Sequence, residues 1–222
     1  MWGRMDKQSA NSGLNLAPPK THAHGVARWL MYPLVGTRFT PNHITTLRLL
    51  SGLLAAWCFS RDAASWHAWG GSIFVFSMLM DRADGELARM TKQSSKWGHW
   101  YDLICDMLVN IVLFIGIGYG LSGLTWLGDW TTLLGAIAGI SIGAIFIIVF
   151  QFHMSGTHPG IVFKYPDGFD LDDSMFVIPL FAWFGGLLYL LILAATIAPA
   201  FLIFSIWQAW KLKQYKSKED AE

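Results

Sequence analysis

The chain has 222 residues, of which 54% are hydrophobic and only 14% are charged, against about 25% charged residues in an average soluble protein. This composition excludes an ordinary soluble domain and predicts an all-α polytopic membrane protein. The formal net charge of +1 indicates no class of partner. The two cysteines, Cys58 and Cys105, lie in apolar runs, where we predict neither a disulfide nor a zinc site.

Residues 1–23 are polar and lack the apolar core of a signal peptide, so they are predicted to form a mobile cytoplasmic tail. Residues 24–38 mix apolar and basic side chains over a run too short to span a bilayer. This mixture predicts an amphipathic helix that lies in the membrane interface. The alternative is a simple lead-in to the first span.

The first span is predicted over 44–60 and the second over 67–90. Pro41 stands just ahead of the first span and is typical of a helix start. Arg48 lies near the beginning of that span, where its side chain could reach the interface or contact phosphate.

Four aspartates flank the polar segment 90–97. Asp81 and Asp84 are spaced i, i+3, and Asp102 and Asp106 are spaced i, i+4, so each pair shares one helix face. If residues 90–97 form a turn, the two acidic faces meet. Neighbouring carboxylates repel one another and require a counter-charge, and an oxygen-rich site suits Mg²⁺, Mn²⁺ or Ca²⁺. Four carboxylates could bind two such cations about 3.5–4 Å apart.

Two further residues indicate a phosphate-containing ligand. Gly85 removes a side chain beside Asp84, which lets a bulky ligand approach the helix backbone. Arg89 lies eight residues after Asp81, roughly on the same helix face, where it could neutralise phosphate. The alternatives at this point are a solvated acidic face and an intramembrane ion path or proton relay.

The pattern Asp-x2-Asp-Gly-x2-Ala-Arg-x8-Gly-x3-Asp-x3-Asp resembles the signature of the CDP-alcohol phosphotransferases, also called CDP-alcohol phosphatidyltransferases. Its eight fixed positions stand here as Asp81, Asp84, Gly85, Ala88, Arg89, Gly98, Asp102 and Asp106. The resemblance implies an integral membrane enzyme of phospholipid synthesis. Such an enzyme transfers a phosphatidyl or other phospho-alcohol group from a CDP-alcohol, here expected to be CDP-diacylglycerol, to an acceptor alcohol and releases CMP.

The resemblance also implies roles for individual residues. Asp81 and Asp102 would bridge two Mg²⁺ ions, for which Mn²⁺ could substitute. Asp84 would complete the first metal site, and Asp106 would bind the second ion and act as the general base. The residues that would hold the cytidine nucleotide are Asn42, Thr45, Gly85, Arg89 and Ser95. Ser94 could serve in place of Ser95.

A third span is predicted over 98–122 and a fourth over 132–152. The glycines of the fourth span recur every four residues, at Gly135, Gly139 and Gly143. This spacing is typical of a helix-packing face. The face would serve either the bundle itself or the homodimer that the resemblance implies.

Residues 153–173 form the longest polar loop, which is either functional or a solvated loop with a helix cap. The apolar stretch 174–210 is too long for one span of about 20 residues. We therefore predict two helices there, divided at Gly185–Gly186 or within 195–199, and six transmembrane helices in all.

The positive-inside rule places both termini, the linker 91–97 and the loop 153–173 on the cytoplasmic side, because these segments carry nearly all the lysines and arginines. The active site would then face the cytoplasm of a bacterial or archaeal cell (inner) membrane. A single membrane domain is predicted over 24–212, followed by a charged cytoplasmic tail over 213–222.

The expected partners are a CDP-linked lipid donor, a small alcohol acceptor and membrane lipids, with no nucleic acid. Between Lys96 and Lys211 only Lys164 supplies a cation. This favours a neutral or zwitterionic acceptor, unless Arg48 or Lys92 binds an acceptor phosphate. The competing function is a divalent-cation transporter that uses the same aspartates. The aspartate pattern does not recur in the second half of the chain, although internal repeats are common in transporters.

Overall fold

The structure, a computed structural model, describes residues 22–93, 95–154 and 175–219, and all regular secondary structure in these ranges is helical. This confirms the predicted all-α class. The α-helices in these ranges are α1 (His22–Met31), α2 (Pro41–Phe59), α3 (Ala64–Thr91), α4 (Lys96–Ser122), α5 (Trp130–Met154), α6 (Val177–Trp183) and α7 (Leu187–Glu219). A short 3-10 turn, Tyr32–Leu34, follows α1.

Local capping fixes where the helices around the aspartates begin and end. Pro41 is the first residue of α2, and the backbone N–H of Thr40 donates to Nδ1 of His43 at 3.3 Å. The end of α3 is set by Lys92, which has a left-handed backbone with φ of 54°. Ser95 then caps α4, since its Oγ accepts a 3.0 Å hydrogen bond from the N–H of Gly98. Helix α3 therefore ends at Thr91 and α4 begins at Lys96, so the predicted pair of helices separated by a short polar segment is confirmed.

Three helical segments are long and apolar enough to cross a membrane: Lys96–Ser122, Trp130–Gln151 and Leu187–Lys211. The helices α2 and α3 have 19 and 28 residues but carry the polar residues of the candidate site. Helix α6 has seven residues and begins close to residues 155–174, which lie outside the described part of the chain. The chain is thus a helical membrane protein with three clear candidate spans among the described residues.

The predicted division of the last apolar stretch falls at the glycine pair. Gly185 adopts a left-handed backbone with φ of 74° between α6 and α7, a conformation that glycine adopts without a steric penalty. The alternative boundary within 195–199 is wrong, because Pro199 lies inside α7.

The glycine row of α5 packs against α4 of the same chain. A Cβ on Gly139 would lie 2.9 Å from the carbonyl oxygen of Ile111, and one on Gly143 would lie 3.1 Å from Cδ1 of Ile111. Gly135 approaches the backbone of Phe114 more closely still. The small-residue face recognised in the sequence therefore serves packing inside the bundle.

Helix α1 docks on α3 through a small apolar cluster. Ala27 and Met31 are buried and pack with Ala83 and Leu87 of α3. Other apolar side chains of α1 remain exposed, with Trp29 at 56%. The helix therefore packs one face on the bundle and leaves other apolar side chains exposed. The main core lies between helices α2 to α7.

Some predicted segments fall outside the described residues. The predicted N-terminal tail is one of them, except for residues 22 and 23 at the start of α1. The predicted polar loop lies outside from residue 155 onward, and Ser94 also lies outside.

Candidate active site

Three of the four predicted metal ligands meet at one place. Asp81 on α3 and Asp102 and Asp106 on α4 each offer a carboxylate oxygen, and these oxygens lie within 4.8 Å of one another. We call these residues the three-carboxylate group. The sequence predicted this convergence from helical spacing and a turn. A donor set made of carboxylate oxygens fits a hard divalent cation such as Mg²⁺ or Mn²⁺.

The fourth aspartate is held by a threonine. Oγ1 of Thr45 donates a 2.6 Å hydrogen bond to Oδ2 of Asp84, and both residues are buried. Asp84 shares the acidic side of α3 with Asp81 but is not part of the three-carboxylate group. Thr45, which the resemblance assigned to the nucleotide, contacts a carboxylate in this structure and thereby links α2 to the signature helix α3.

Arg48 supplies the counter-charge inside the three-carboxylate group. Its Nη1 lies 3.1 Å from Oδ1 of Asp81 and 3.0 Å from Oδ1 of Asp102, and its Nη2 forms an ion pair with Asp106. The residue is buried, and its carbonyl oxygen accepts a 2.9 Å hydrogen bond from Oγ of Ser77. Repulsion among the carboxylates is thereby offset by a cation from α2.

The position of Arg48 in the sequence predicts only that its side chain reaches the interface or contacts phosphate. Its spacing of three residues after Thr45 places both on one face of α2. That spacing was the available signal for a shared contact with the aspartates.

A second charged cluster surrounds Glu86, which sequence reasoning did not single out. Glu86 is fully buried. Its Oε2 accepts a 2.8 Å hydrogen bond from Nε of Arg28, and its Oε1 accepts a 2.7 Å bond from Nη2 of Arg89. His24 Nδ1 lies 3.3 Å from the same Oε1. One buried carboxylate thus connects helix α1 to the signature arginine.

The signal for this cluster was present in the sequence. His24 and Arg28 are spaced i, i+4 on the predicted amphipathic helix, and Glu86 and Arg89 are spaced i, i+3 on the second span.

The other predicted nucleotide ligands form two pairs of adjoining residues, Asn42 with Ser95 and Gly85 with Arg89, which together we call the polar rim. A Cβ on Gly98 would lie 3.1 Å from Oγ of Ser95 and 3.4 Å from Oδ1 of Asn42, so these residues adjoin one another. Around Gly85 there is open space, since the nearest atom to a Cβ there is Nη2 of Arg89 at 3.9 Å. The Arg89 side chain is 40% exposed. The structure therefore leaves room for a bulky anionic ligand beside Gly85 and Arg89.

The comparisons with known proteins agree with these features. The family model for CDP-alcohol phosphatidyltransferase matches residues 38–210. The chain is 25% identical over 187 residues to the bifunctional IPC transferase and DIPP synthase of Aquifex aeolicus. The aligned region covers 82% of this chain and 41% of that protein. It is 40% identical over 81 residues to the CDP-diacylglycerol–glycerol-3-phosphate 3-phosphatidyltransferase of Cereibacter sphaeroides, covering 36% of this chain and 37% of that protein.

A solved structure shares the fold. The crystal structure of Mycobacterium tuberculosis phosphatidylinositol phosphate synthase with CDP-DAG bound superposes with a TM-score of 0.55 at 20% identity, covering 84% of this chain and 94% of that chain. The matches span about two fifths of the length of the two curated relatives named above. The family match contains all eight positions of the sequence pattern, and the chain belongs to the CDP-alcohol phosphatidyltransferase family.

Proposed function

We propose that the protein transfers a phosphatidyl group from CDP-diacylglycerol to the hydroxyl group of a small alcohol and releases CMP, as a step of phospholipid synthesis. The observation that carries this proposal is the three-carboxylate group, whose oxygens lie within 4.8 Å of one another in a chain of this family. The acceptor oxygen forms a bond to the lipid-side phosphorus. The P–O bond to the cytidylate phosphate breaks, and CMP leaves with the electron pair of that bond.

Asp106 is the proposed general base, which takes the proton from the attacking hydroxyl group. Two observations support this role. Its side chain is 17% exposed, and it lines a cavity between the helices, so an acceptor could reach it. Asp102 is the more exposed carboxylate at 38%, and we assign it to metal binding on the basis of the family pattern.

The donor set fits two divalent ions, which we assign as Mg²⁺ with Mn²⁺ as a possible substitute. Asp81 and Asp102 would be shared by both ions, Asp84 would serve the first and Asp106 the second. The cationic group of Arg48 among these carboxylates marks a place where positive charge is favourable. Divalent ions bound there would neutralise the pyrophosphate and stabilise the leaving group.

The polar rim is the proposed site of the cytidine diphosphate. Arg89 would neutralise phosphate, Gly85 would allow the ligand to approach α3, and Asn42 and Ser95 would contact the nucleotide. The open space around Gly85 supports this assignment. Thr45 would act on the donor site through its hydrogen bond to Asp84.

We further propose six transmembrane helices within a single membrane domain over 24–212, flanked by cytoplasmic tails over 1–23 and 213–222. The exposed apolar side chains of α1 support a position in the membrane interface. The active site would face the cytoplasm of a bacterial or archaeal cell membrane, where soluble nucleotides are found. The lipid chains of the donor would lie in the bilayer, and the protein would form a homodimer.

The decisive experiment measures CMP release by the purified protein in liposomes that contain CDP-diacylglycerol, with Mg²⁺ and a panel of acceptors. Asp106→Asn is the catalytic variant, and Asp62→Asn, at an exposed site on the connection between α2 and α3, is its matched control. Release that depends on an acceptor, and that disappears with Asp106→Asn or with EDTA, is the expected result.

The contrary result is equally clear. If the protein binds divalent ions but neither releases CMP nor binds CDP-diacylglycerol, the transporter hypothesis is favoured over the enzyme.

A further inference from the structure

A buried glutamate lies inside the signature segment, at a position that the signature leaves open. Glu86 follows Asp84 and Gly85 but is not one of the eight fixed positions of the pattern. The residue is fully buried, and removal of a carboxylate from water costs free energy unless cationic groups accompany it. The position and charge of Glu86 therefore depend on the side chains that reach it.

Helix α1 supplies basic side chains to this carboxylate. Nε of Arg28 donates a 2.8 Å hydrogen bond to Oε2 of Glu86. Nδ1 of His24 lies 3.3 Å from Oε1 of Glu86 and 3.2 Å from Nη2 of Arg89. Nη2 of Arg89 in turn donates a 2.7 Å hydrogen bond to Oε1. The arginine of the polar rim is thus held by a carboxylate that also binds α1.

This arrangement makes the position of Arg89 depend on α1. Glu86 and Arg89 are three residues apart on α3, and an ion pair of this spacing on an exposed helix surface is weak. With α1 in place, Glu86 is buried and Arg28 fixes its second oxygen. If α1 moved away, water would reach Glu86, and the Arg89 side chain, which is already 40% exposed, would be held less firmly.

Helix α1 has an inner face on the protein and an outer face away from it. The residues of the inner face are spaced i, i+3, i+4 and i+7, and they are His24, Ala27, Arg28 and Met31. The outer face contains Val26, Trp29 and Leu30, which are 51%, 56% and 37% exposed. Their spacing of i, i+3 and i+4 makes one apolar face. In a membrane protein such a face fits the bilayer interface.

The sequence around α1 is basic. Residues 7–61 contain no aspartate or glutamate, and Lys20 and Arg38 stand on either side of α1 in the chain. Arg38 is exposed. An apolar helix face with basic residues near it complements a bilayer surface that carries negative charge, because anionic lipids attract lysine and arginine at the interface.

We propose that the outer face of α1 binds an anionic lipid surface and that this binding, through Glu86, holds Arg89 in position for the donor. A negatively charged bilayer keeps α1 on α3, and a neutral bilayer holds it less firmly. The affinity for the donor therefore rises with the fraction of anionic lipid, and the chemical step is unchanged. The inference rests on the proposed function, since it concerns regulation of the same donor site.

The first test measures CMP release by the reconstituted protein at saturating Mg²⁺, in liposomes of phosphatidylcholine alone or mixed with phosphatidylserine. KM for CDP-diacylglycerol, as its surface fraction, should be about five-fold lower in the anionic liposomes, with kcat unchanged. The candidate spans keep the protein in both bilayers, so recruitment to the membrane does not explain a difference. Equal KM values would overturn the inference, and CMP release in both liposomes would leave the proposed function intact.

The second test removes one exposed cation at a time. Arg38→Gln should lose most of the response, so that its KM values in the two liposomes differ by less than about two-fold. Arg61→Gln is the matched control, at an exposed site on the connection between α2 and α3, and should respond like the unmodified protein. Equal responses of the two variants would assign the effect to net charge rather than to α1, and the inference would be wrong.

Glu86→Gln tests the connection between α1 and the donor site. The neutral amide weakens the contacts with Arg28 and Arg89, so KM for CDP-diacylglycerol should be high in both liposomes and insensitive to phosphatidylserine. A purely structural role would not remove the response to lipid charge. If Glu86→Gln keeps the full response, anionic lipid acts by another route and the inference is overturned.

A measurement independent of turnover follows the outer face of α1. A fluorescent label on Val26→Cys reports its contact with spin-labelled lipid by quenching, and the native Cys58 and Cys105 are buried. Phosphatidylserine should increase this quenching in the labelled protein but not when Arg38→Gln is added. A label on Gln93→Cys, exposed between α3 and α4, should show no change. Quenching at position 26 that is independent of phosphatidylserine would contradict the inference.

Discussion

Oγ1 of Thr45 donates a 2.6 Å hydrogen bond to Oδ2 of Asp84, and this buried contact joins α2 to the signature helix. Thr45→Val keeps the shape of the side chain but removes the donor, so the carboxylate loses a buried partner. We expect a loss of about 1–3 kcal/mol in the free energy of unfolding and a higher Mg²⁺ concentration for half-maximal CMP release. Thermal unfolding and a Mg²⁺ titration measure the two effects.

Thr46→Val is the matched control for this prediction. Thr46 is exposed, and its Oγ1 hydrogen bonds to the carbonyl oxygen of Asn42 and to the hydroxyl group of Tyr101 rather than to an aspartate. An equal change in the Mg²⁺ requirement of both variants would contradict a specific effect through Asp84.

Arg48 occupies the three-carboxylate group as an internal cation, which predicts competition with divalent ions. Arg48→Gln removes the charge that contacts Asp81, Asp102 and Asp106. The protein without divalent ions should lose stability, because three carboxylates would then repel one another without compensation. Addition of Mn²⁺ should raise the unfolding temperature more in Arg48→Gln than in the unmodified protein.

Arg48→Lys separates charge from shape in this experiment, since the lysine keeps the charge but lacks the planar fork. Its response to Mn²⁺ should lie between those of the other two proteins. A response of Arg48→Gln no larger than that of the unmodified protein would exclude competition between the arginine and the metal.

Glu86 connects α1 to the signature arginine, so its replacement should affect both. Glu86→Gln weakens the contacts with Arg28 and Arg89. We expect a loss of about 1–3 kcal/mol in the free energy of unfolding and a higher KM for CDP-diacylglycerol, because Arg89 loses the carboxylate that positions it. The turnover number at saturating donor should change little. The exposed Asp62→Asn variant provides the control for removal of a negative charge, and a fall in turnover without a change in KM would contradict a positioning role.

The sequence predicted those parts of the site that depend on helical spacing. Asp102 and Asp106 lie together because i, i+4 positions share a helix face, and Asp81 meets them across the short polar segment that separates α3 from α4. The contacts of Arg48 depend instead on how α2, α3 and α4 cross, which no local pattern specifies. The burial of Glu86 likewise depends on where α1 docks.

The same distinction applies to the fold. The glycine row of α5 predicted a packing face but did not identify its partner, because the spacing suits a helix of the same chain as well as one of a second subunit. The boundary at Gly185–Gly186 was one of two that the apolar stretch allowed. The boundary at the glycine pair leaves α6 packed on α3, where Ala182 and Pro179 lie against Gly71, a long-range contact that the apolar stretch does not specify.

The contact of α5 with α4 gives a final prediction about stability. A Cβ on Gly139 would lie 2.9 Å from the carbonyl oxygen and 3.0 Å from Cα of Ile111, so Gly139→Ala requires the two helix backbones to separate. We expect a loss of about 1–3 kcal/mol in the free energy of unfolding. Gly123→Ala is the matched control, because the nearest atom to a Cβ there is Oδ2 of Asp62 at 3.9 Å. Unfolding in detergent, followed by helical circular dichroism, compares the two variants, and equal stability would show that α5 can move away from α4 without cost.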